Sequence, residues 1–239
     1  MEARALGGFV IDKQFKIVEG ERCAGKSFQI NLCQGAFKGY VKAPSSNRLL
    51  VSTSQNVDVK DNGWLIDFIS ARFMLFSEVL ESGTIDGLKI KSINSGGDIL
   101  EGRKNYKDAI EFPIQGTMSI SLNKICKFST KDSTENAIII SLKNKFVEAH
   151  EINDLNRSYV KIKDDDLKKY AINDVNAHNA YLHIVLDHFK NKKPFIKDFE
   201  DVLTDTQAFK FISQHSRIPI NMVSIKSTNL IETIYIKFI

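Results

Sequence analysis

The 239-residue chain is poor in cysteine and proline, and it contains no long apolar run. Its three cysteines (Cys23, Cys33 and Cys126) are odd in number and share no C-x-x-C spacing, which argues against a disulfide framework or a zinc site. The longest apolar runs, residues 73–76 and 137–140, are far too short to cross a bilayer, and the first residues lack a signal-peptide core. These absences predict a soluble intracellular protein without a membrane partner.

The composition is that of a globular protein. Hydrophobic residues make up 43% of the chain, enough to bury a core. The net charge of +4 permits a polyanionic partner but does not by itself argue for one. Four prolines and the absence of repeats or low-complexity tracts leave few obvious linkers, so domain boundaries have to come from changes in pattern.

Up to about residue 153, short apolar runs alternate with helical patterns. This alternation is typical of a three-layer α/β domain. The predicted strands cover residues 15–18, 49–52, 73–76, 118–122 and 137–142, the predicted helices 26–37, 65–70 and 85–93, and a hairpin 99–112.

After residue 153 the periodicity becomes mostly helical, which divides the chain into a domain over residues 1–152 and a smaller region over 153–239. Asp164-Asp165-Asp166 indicates the acidic first turn of a helix rather than a metal site, because carboxylates favour the positive helix start. His178, His183 and His188 lie five residues apart, a spacing that does not align them for one metal ion on a helix. Further helices are predicted at 177–189 and 198–212, and strands at 222–225 and 231–239 predict a terminal β-hairpin.

One octapeptide fits the phosphate-loop pattern G-x-x-x-x-G-K-[ST] at every fixed position, between a predicted strand and a predicted helix. Its glycines let backbone N–H groups and the helix start face an anion, a lysine reaches the β- and γ-phosphates, and a serine hydroxyl binds Mg²⁺. A chance glycine turn is the alternative. The predicted nucleotide-binding residues are Gly20, Glu21, Arg22, Cys23, Ala24, Gly25, Lys26 and Ser27.

Three downstream segments extend this interpretation. Glu78 follows the apolar run 73–76 and is the candidate carboxylate for holding the metal and polarising water, although a buried strand can also end in a surface glutamate. Asn123 follows strand 117–122, as a polar sensor of the terminal phosphate would. The hairpin tip carries candidate DNA-binding residues, with a solvated basic turn as the alternative. They are Arg103, Lys104, Tyr106 and Lys107.

The order of these motifs resembles the superfamily 3 helicases, especially the helicase module of poxvirus-type and phage- or plasmid-type primase-helicases. The matching pieces are G-E-R-C-A-G-K-S, the strand ending F-S-E, the segment G-G-D-I-L-E-G-R-K-N-Y, the run E-F-P and the strand closing at S-L-N, over about residues 9–148. The resemblance implies an AAA+-like P-loop ATPase that forms a hexameric ring and moves on single-stranded DNA with ATP and Mg²⁺. It carries over Lys26, Glu78 and Asn123 as catalytic residues, and Ser27 and Glu78 as metal ligands. A primase or polymerase factor is a further implied partner, and host cytoplasm or a viral replication site is the implied location.

The sequence departs from the family pattern after the sensor strand. Glu135 and Asn136 stand where the family presents arginines that reach the neighbouring subunit's ATP site. Such an arginine finger contributes on the order of 10³ to 10⁵ in rate. Lys131 and Arg157 are the alternative candidates for this arginine's role, but nothing in the sequence shows that either residue takes it. Two alternatives therefore stay open beside an active helicase: a ring subunit or scaffold that binds ATP and DNA with little turnover, and a monomeric small-molecule kinase.

Overall fold

Five parallel strands form the central sheet of the protein. The structure is a computed structural model, and it describes residues 1–51, 59–77, 79, 82–152 and 158–191. The sheet order is β2-β3-β7-β1-β9, where the strands are β1 (Phe15–Gly20), β2 (Val41–Lys42), β3 (Phe73–Phe76), β7 (Thr117–Leu122) and β9 (Ala137–Leu142). Every neighbouring pair in this sheet is parallel. The protein is therefore of mixed α/β type, with its loops after the strands gathered at one edge.

The remaining elements surround this sheet or extend it. The helices are α1 (Glu2–Leu6), α2 (Lys26–Phe37), α3 (Gly87–Ile93), α4 (Asp165–Asn173) and α5 (Val175–Asn191), with 3₁₀ helices at Lys38–Tyr40, Ser46–Leu49, Val59–Phe68, Lys131–Thr134 and Ala149–Glu151. The short strands are β4 (Thr84–Ile85), β5 (Ile99–Gly102), β6 (Ile110–Pro113), β8 (Lys127–Phe128), β10 (Lys145–Val147) and β11 (Val160–Ile162). None of the helices in the described ranges has the length and apolar character that crossing a bilayer requires.

Apolar side chains cover both faces of the sheet. On one face Ile17, Phe76 and Ile120 pack with Ile90 of α3 and Leu65 of the 3₁₀ helix Val59–Phe68. On the other face, the alternate residues of β3 pack with α1, α2 and α5, and the Phe37 and Phe73 rings stack at 4.6 Å. A strand that is buried on both faces consists of consecutive apolar residues. The apolar run 73–76 therefore predicts β3 correctly.

One predicted strand is wrong. Residues 49–51 do not join the sheet: Ser46–Leu49 is a 3₁₀ helix, and Leu50 makes only an isolated bridge with Ile85. Leu49 is fully buried in the core on one face of the sheet, so its apolar character reflects packing rather than strand pairing. The sheet edge is taken instead by β2, which pairs Val41 with Phe73. The predicted helix at 65–70 is likewise the end of the 3₁₀ helix Val59–Phe68.

The acidic start of α4 is confirmed as a helix cap. The Asp164 carboxylate accepts a hydrogen bond of 3.1 Å from the Asp166 N–H at the start of this helix. Helices α4 and α5 pack on α2 through Leu32, Ala171 and Ala177. The boundary at residues 152/153 stays a prediction, and the elements predicted at 198–212, 222–225 and 231–239 lie outside the described residues.

Gly35 gives a test of the contact between α2 and α5. His178 of α5 is buried, its Nε2 lies 2.9 Å from the Ala171 carbonyl oxygen, and a Cβ added at Gly35 would collide with its imidazole. We expect Gly35→Ala to lower the free energy of unfolding by about 1–3 kcal/mol in urea denaturation, since overpacking outweighs the gain in helix propensity. Gly39→Ala is the matched control, because a Cβ there meets nothing within 4 Å. Equal stability of both variants would contradict this packing.

Candidate functional site

The predicted phosphate loop and Asn123 both lie at the carboxyl edge of the sheet. β1 ends at Gly20, and its neighbour β7 ends at Leu122, immediately before Asn123. β3 lies on the other side of β7 and ends at Phe76. Carboxyl ends of parallel strands are where open α/β sheets bind ligands. Glu78 itself lies outside the described residues, so its predicted role stays a prediction.

Glycines form both ends of loop 20–27, the turn between β1 and α2. Gly25 has φ of 93°, a left-handed conformation that favours glycine, and it is the N-cap of α2. A Cβ added at Gly20 would come within 3.0 Å of the Leu142 carbonyl oxygen and of the Ala24 Cβ. The loop therefore curls tightly against β9 and delivers Lys26 and Ser27 to the first turn of the helix.

Lys26 connects this loop to the strand that carries the predicted sensor. Its ammonium donates a hydrogen bond to the Asn123 side-chain oxygen at 3.1 Å, to the Glu21 carbonyl oxygen at 2.8 Å, and to the Gly20 carbonyl oxygen. Burial lowers the pKa of the Lys26 amine from its usual value, and the nearby Cys23 opposes this change. Two residues that the sequence singled out for phosphate chemistry thus meet although 97 positions separate them.

The segment after β9 supports loop 20–27 from outside. The Phe146 N–H donates a 3.0 Å hydrogen bond to the Cys23 carbonyl oxygen, and the Lys145 amine lies 4.0 Å from the Glu21 carboxylate. β10 therefore lies between the loop and β11, with which it pairs in parallel. The sequence does not predict this contact, because a strand of three residues is too short to show an apolar periodicity and the contact is made by backbone atoms.

The predicted hairpin is confirmed as an antiparallel pair of β5 and β6, and its tip projects into solvent. Tyr106 is fully exposed with φ of 61°, and Arg103 and Lys107 are also exposed. Lys104 differs, because it is half-buried and forms an ion pair with Asp67. Of the predicted DNA-binding residues, the structure therefore presents three to solvent and engages the fourth.

The 3₁₀ helix Val59–Phe68 holds the base of this hairpin. The Asn62 side-chain amide donates a 3.2 Å hydrogen bond to the Glu101 carbonyl oxygen. A Cβ added at Gly63 would collide with the Arg103 carbonyl oxygen, so the two backbones approach closely here. The hairpin is consequently a supported element rather than a loose loop, although no described contact joins its tip to loop 20–27.

The residues at the predicted arginine-finger position lie at the opposite end of the sheet from loop 20–27. Glu135 and Asn136 are exposed and precede β9, after the 3₁₀ helix Lys131–Thr134. Asp132 forms an ion pair with Lys91 of α3, which lowers the pKa of the Asp132 carboxyl through a hydrogen bond from the lysine. Arg157 lies outside the described residues.

The donor set of loop 20–27 fits a nucleotide triphosphate with Mg²⁺. A left-handed glycine before a helix start orients backbone N–H groups toward an anion, Lys26 supplies a cation, and Ser27 supplies a hydroxyl oxygen of the kind that Mg²⁺ prefers. The Asn123 amide adds a neutral polar group beside the lysine. These are groups that bind and orient phosphates.

Cysteine alkylation tests whether this loop takes a ligand. Cys23 is exposed, whereas Cys33 and Cys126 are buried, and burial raises the pKa of the Cys33 thiol to about 12. Iodoacetamide reacts with accessible thiolates, so we expect it to label Cys23 rapidly in the native protein. ATP with Mg²⁺ should slow this labelling at least about fivefold in a mass-spectrometric time course, whereas AMP should not. An unchanged rate would contradict ligand binding at the loop.

Comparisons with known proteins give one related sequence and distant structural neighbours. No protein-family model matches the chain. The chain is 29% identical over 193 residues to "Putative helicase V13" of Sputnik virophage, covering 79% of this chain and 24% of that protein. The chain thus spans about a quarter of the length of this curated relative.

The solved structures that resemble the protein include two apo structures of the C-terminal region of NrS-1. The first, the A form, has a TM-score of 0.47 and 13% identity, and covers 86% of this chain and 48% of that chain. The second has a TM-score of 0.45 and 13% identity, and covers 88% of this chain and 52% of that chain.

Proposed function

We propose that the chain is the ATPase module of a DNA helicase that acts in viral or mobile-element replication. The contact between Lys26 and Asn123 at the carboxyl edge of a parallel sheet carries this proposal, because it joins a phosphate-loop lysine to a polar sensor. The sequence relationship to a virophage protein named as a helicase supports it. We assign the module to the superfamily 3 type with an AAA+-like P-loop domain, on the order of its motifs.

Each residue has a separate task in this proposal. Backbone N–H groups of loop 20–27 and the Lys26 ammonium bind the β- and γ-phosphates, and the Asn123 amide orients the terminal phosphate. The Ser27 hydroxyl and the Glu78 carboxylate would hold Mg²⁺, which when bound would supply neutralising charge to the phosphate oxygens. Glu78 also orients the attacking water and accepts its proton. Lys26 exchanges its present oxygen partners for phosphate oxygens, since a charge-assisted bond to an anion is the stronger one.

The exposed hairpin tip supplies the contact with single-stranded DNA. Arg103 and Lys107 neutralise backbone phosphates without reading sequence, and Tyr106 stacks on a base. Six copies in a ring would place their tips around one strand, so that hydrolysis at loop 20–27 is coupled to movement. A primase or polymerase factor is the proposed further partner.

An ATPase assay with and without single-stranded DNA, run alongside light-scattering mass measurement, tests this function. We expect ATP hydrolysis that DNA stimulates and a multimer in the presence of both ligands. A chain that binds no ATP with Mg²⁺ would exclude the proposal. A chain that hydrolyses ATP but binds no DNA would favour the small-molecule kinase alternative.

A second candidate function is a ring subunit that binds ATP and DNA with little turnover. Glu135 and Asn136 at the finger position favour it, since no arginine occupies either place. For a subunit of this kind we expect Asn136→Arg to raise the rate of the DNA-bound oligomer at least tenfold, because a finger contributes on the order of 10³ to 10⁵ where it operates. Asn136→Gln is the uncharged control. An unchanged rate in Asn136→Arg would count against this candidate.

A further inference from the structure

The 3₁₀ helix Val59–Phe68 is unusually long. It covers ten residues. Helices of this type rarely exceed about three or four residues, because their hydrogen-bond geometry is poorer than that of an α-helix. A competing form is close at hand, since an α-helix rises about 0.5 Å less per residue. The form and position of this helix therefore depend on the contacts that it makes with its neighbours.

One set of these contacts joins the 3₁₀ helix to the hairpin of β5 and β6. The Asn62 amide binds the Glu101 carbonyl oxygen, and a Cβ added at Gly102 would come within 2.9 Å of the Asn62 carbonyl oxygen. Near the other end of the helix, Asp67 forms an ion pair with Lys104 of the hairpin tip. Because contacts at both ends bind the two elements together, a displacement of the hairpin displaces the 3₁₀ helix as well.

Trp64 joins the same helix to β3. Its ring contacts the Phe76 ring edge to face, with centroids 6.3 Å apart, and it contacts the Phe68 ring in the same way at 5.4 Å. The Arg48 guanidinium lies 5.3 Å over the indole ring. Such ring contacts favour particular orientations, so three partners fix the position of this side chain. Any shift of the indole ring is consequently felt by Phe76.

Phe76 stands close to the predicted catalytic carboxylate in the sequence. It is the last residue of β3, and Glu78 follows two positions later. Phe76 and Val79, which flank Glu78, are both buried in the core cluster that contains Leu65 and Phe68 of the 3₁₀ helix. The described contacts thus lead without a gap from the exposed hairpin tip to the chain on either side of Glu78.

We propose that Trp64 is a positioning residue that couples DNA contact at the hairpin tip to the carboxylate of Glu78. This coupling rests on the proposed function and supplies the route by which its two sites affect each other. DNA held at the tip displaces the hairpin, and the 3₁₀ helix Val59–Phe68 moves with it. The indole ring transmits this displacement to Phe76, which shifts Glu78 relative to loop 20–27.

The effect of each ligand on the affinity for the other tests the coupling. Linkage requires DNA to change the ATP affinity by the same factor as ATP changes the DNA affinity. We expect this factor to be at least about fivefold in the wild type and close to one in Trp64→Phe. Isothermal titration with a non-hydrolysable ATP analogue and Mg²⁺, with and without a single-stranded oligonucleotide, measures it. Each ligand alone should bind Trp64→Phe within about threefold of the wild type, because Trp64 lies in neither binding site.

Two aspartates provide a matched pair of surface variants. Asp67→Asn breaks the exposed ion pair with Lys104 of the hairpin, whereas Asp166→Asn breaks an exposed ion pair with Lys169 within α4. We expect Asp67→Asn to lower the coupling factor and Asp166→Asn to leave it unchanged. Melting temperatures should change little in both variants, because exposed ion pairs contribute little to stability. Equal coupling factors in the two variants would overturn the route through the hairpin.

Intrinsic fluorescence reports on the proposed residue directly, because Trp64 is the only tryptophan of the chain. We expect the oligonucleotide, added without nucleotide, to change the emission of the wild type. Asp67→Asn should reduce this change while DNA binding, measured by anisotropy, persists. An emission that stays constant at saturating DNA would overturn the proposal.

The separate affinities distinguish a failure of this coupling from a failure of the proposed function. A wild type that binds no ATP or no DNA would contradict the proposed function and the coupling with it. A wild type that binds both ligands with a coupling factor close to one would overturn the coupling alone, as would a Trp64→Phe variant that keeps the full factor. A Trp64→Phe variant that loses both single affinities and its thermal stability would show a structural role and also overturn it.

Discussion

Lys26→Ala is expected to abolish ATP binding and hydrolysis. The Lys26 ammonium lies among the carbonyl oxygens of Gly20 and Glu21 and the side-chain oxygen of Asn123. In the proposed function it exchanges these partners for the β- and γ-phosphates. A hydrogen bond to a charged group contributes about 1.5–3 kcal/mol, so loss of two such bonds weakens ATP binding by about 100-fold or more. Isothermal titration with ATP and Mg²⁺ measures the affinity, and a coupled assay measures the rate.

Lys145→Ala is the matched control for this experiment. Its amine lies beside the same loop but faces the Glu21 carboxylate at 4.0 Å, so it compensates a negative charge rather than reaching the backbone oxygens. We expect its ATP affinity to stay within about threefold of the wild type, because an exposed ion pair contributes about 0.2–1 kcal/mol. Both variants should retain the wild-type melting temperature within a few degrees. Wild-type hydrolysis in Lys26→Ala would exclude a nucleotide site at loop 20–27.

The double variant Arg103→Ala/Lys107→Ala is expected to lose single-stranded DNA binding while it keeps ATP binding. Both side chains are exposed at the hairpin tip. The binding constant of the variant should depend less on salt than that of the wild type. The slope of log K against log salt concentration should become shallower by about 0.7 for each phosphate contact removed, hence by about 1.4 for two. Tyr106→Ala should weaken binding by about 1–3 kcal/mol through loss of base stacking. Fluorescence anisotropy over a salt series measures both effects.

Two controls separate the tip from general charge. Lys168→Ala removes an exposed lysine on α4 and should leave the salt dependence unchanged. Lys104→Ala should have a smaller effect than Arg103→Ala, because the Lys104 ammonium already pairs with Asp67. Identical salt slopes for the wild type and the double variant would show that the hairpin does not bind DNA.

The sequence alone predicted the elements whose signals are local. Helix α2 follows from the glycine and lysine at its start, and strands β3 and β9 from four or more consecutive apolar residues. The cap of α4 follows from Asp164, because a short carboxylate before a helix binds its free N–H groups. The hairpin tip was recognisable because charged residues interrupt two apolar segments.

Tertiary structure decided which of these elements are neighbours. Nothing local indicates that β7 lies between β1 and β3, and this order alone brings Asn123 to the Lys26 amine. Leu49 and Leu50 show that an apolar run does not by itself predict a strand. They pack on the face of the sheet from a 3₁₀ helix and the residue after it. The support of Cys23 by Phe146 and the outer-edge position of β9 are long-range as well. Residue patterns determine local conformation and chemistry, whereas contacts between distant segments depend on the packing of the whole core.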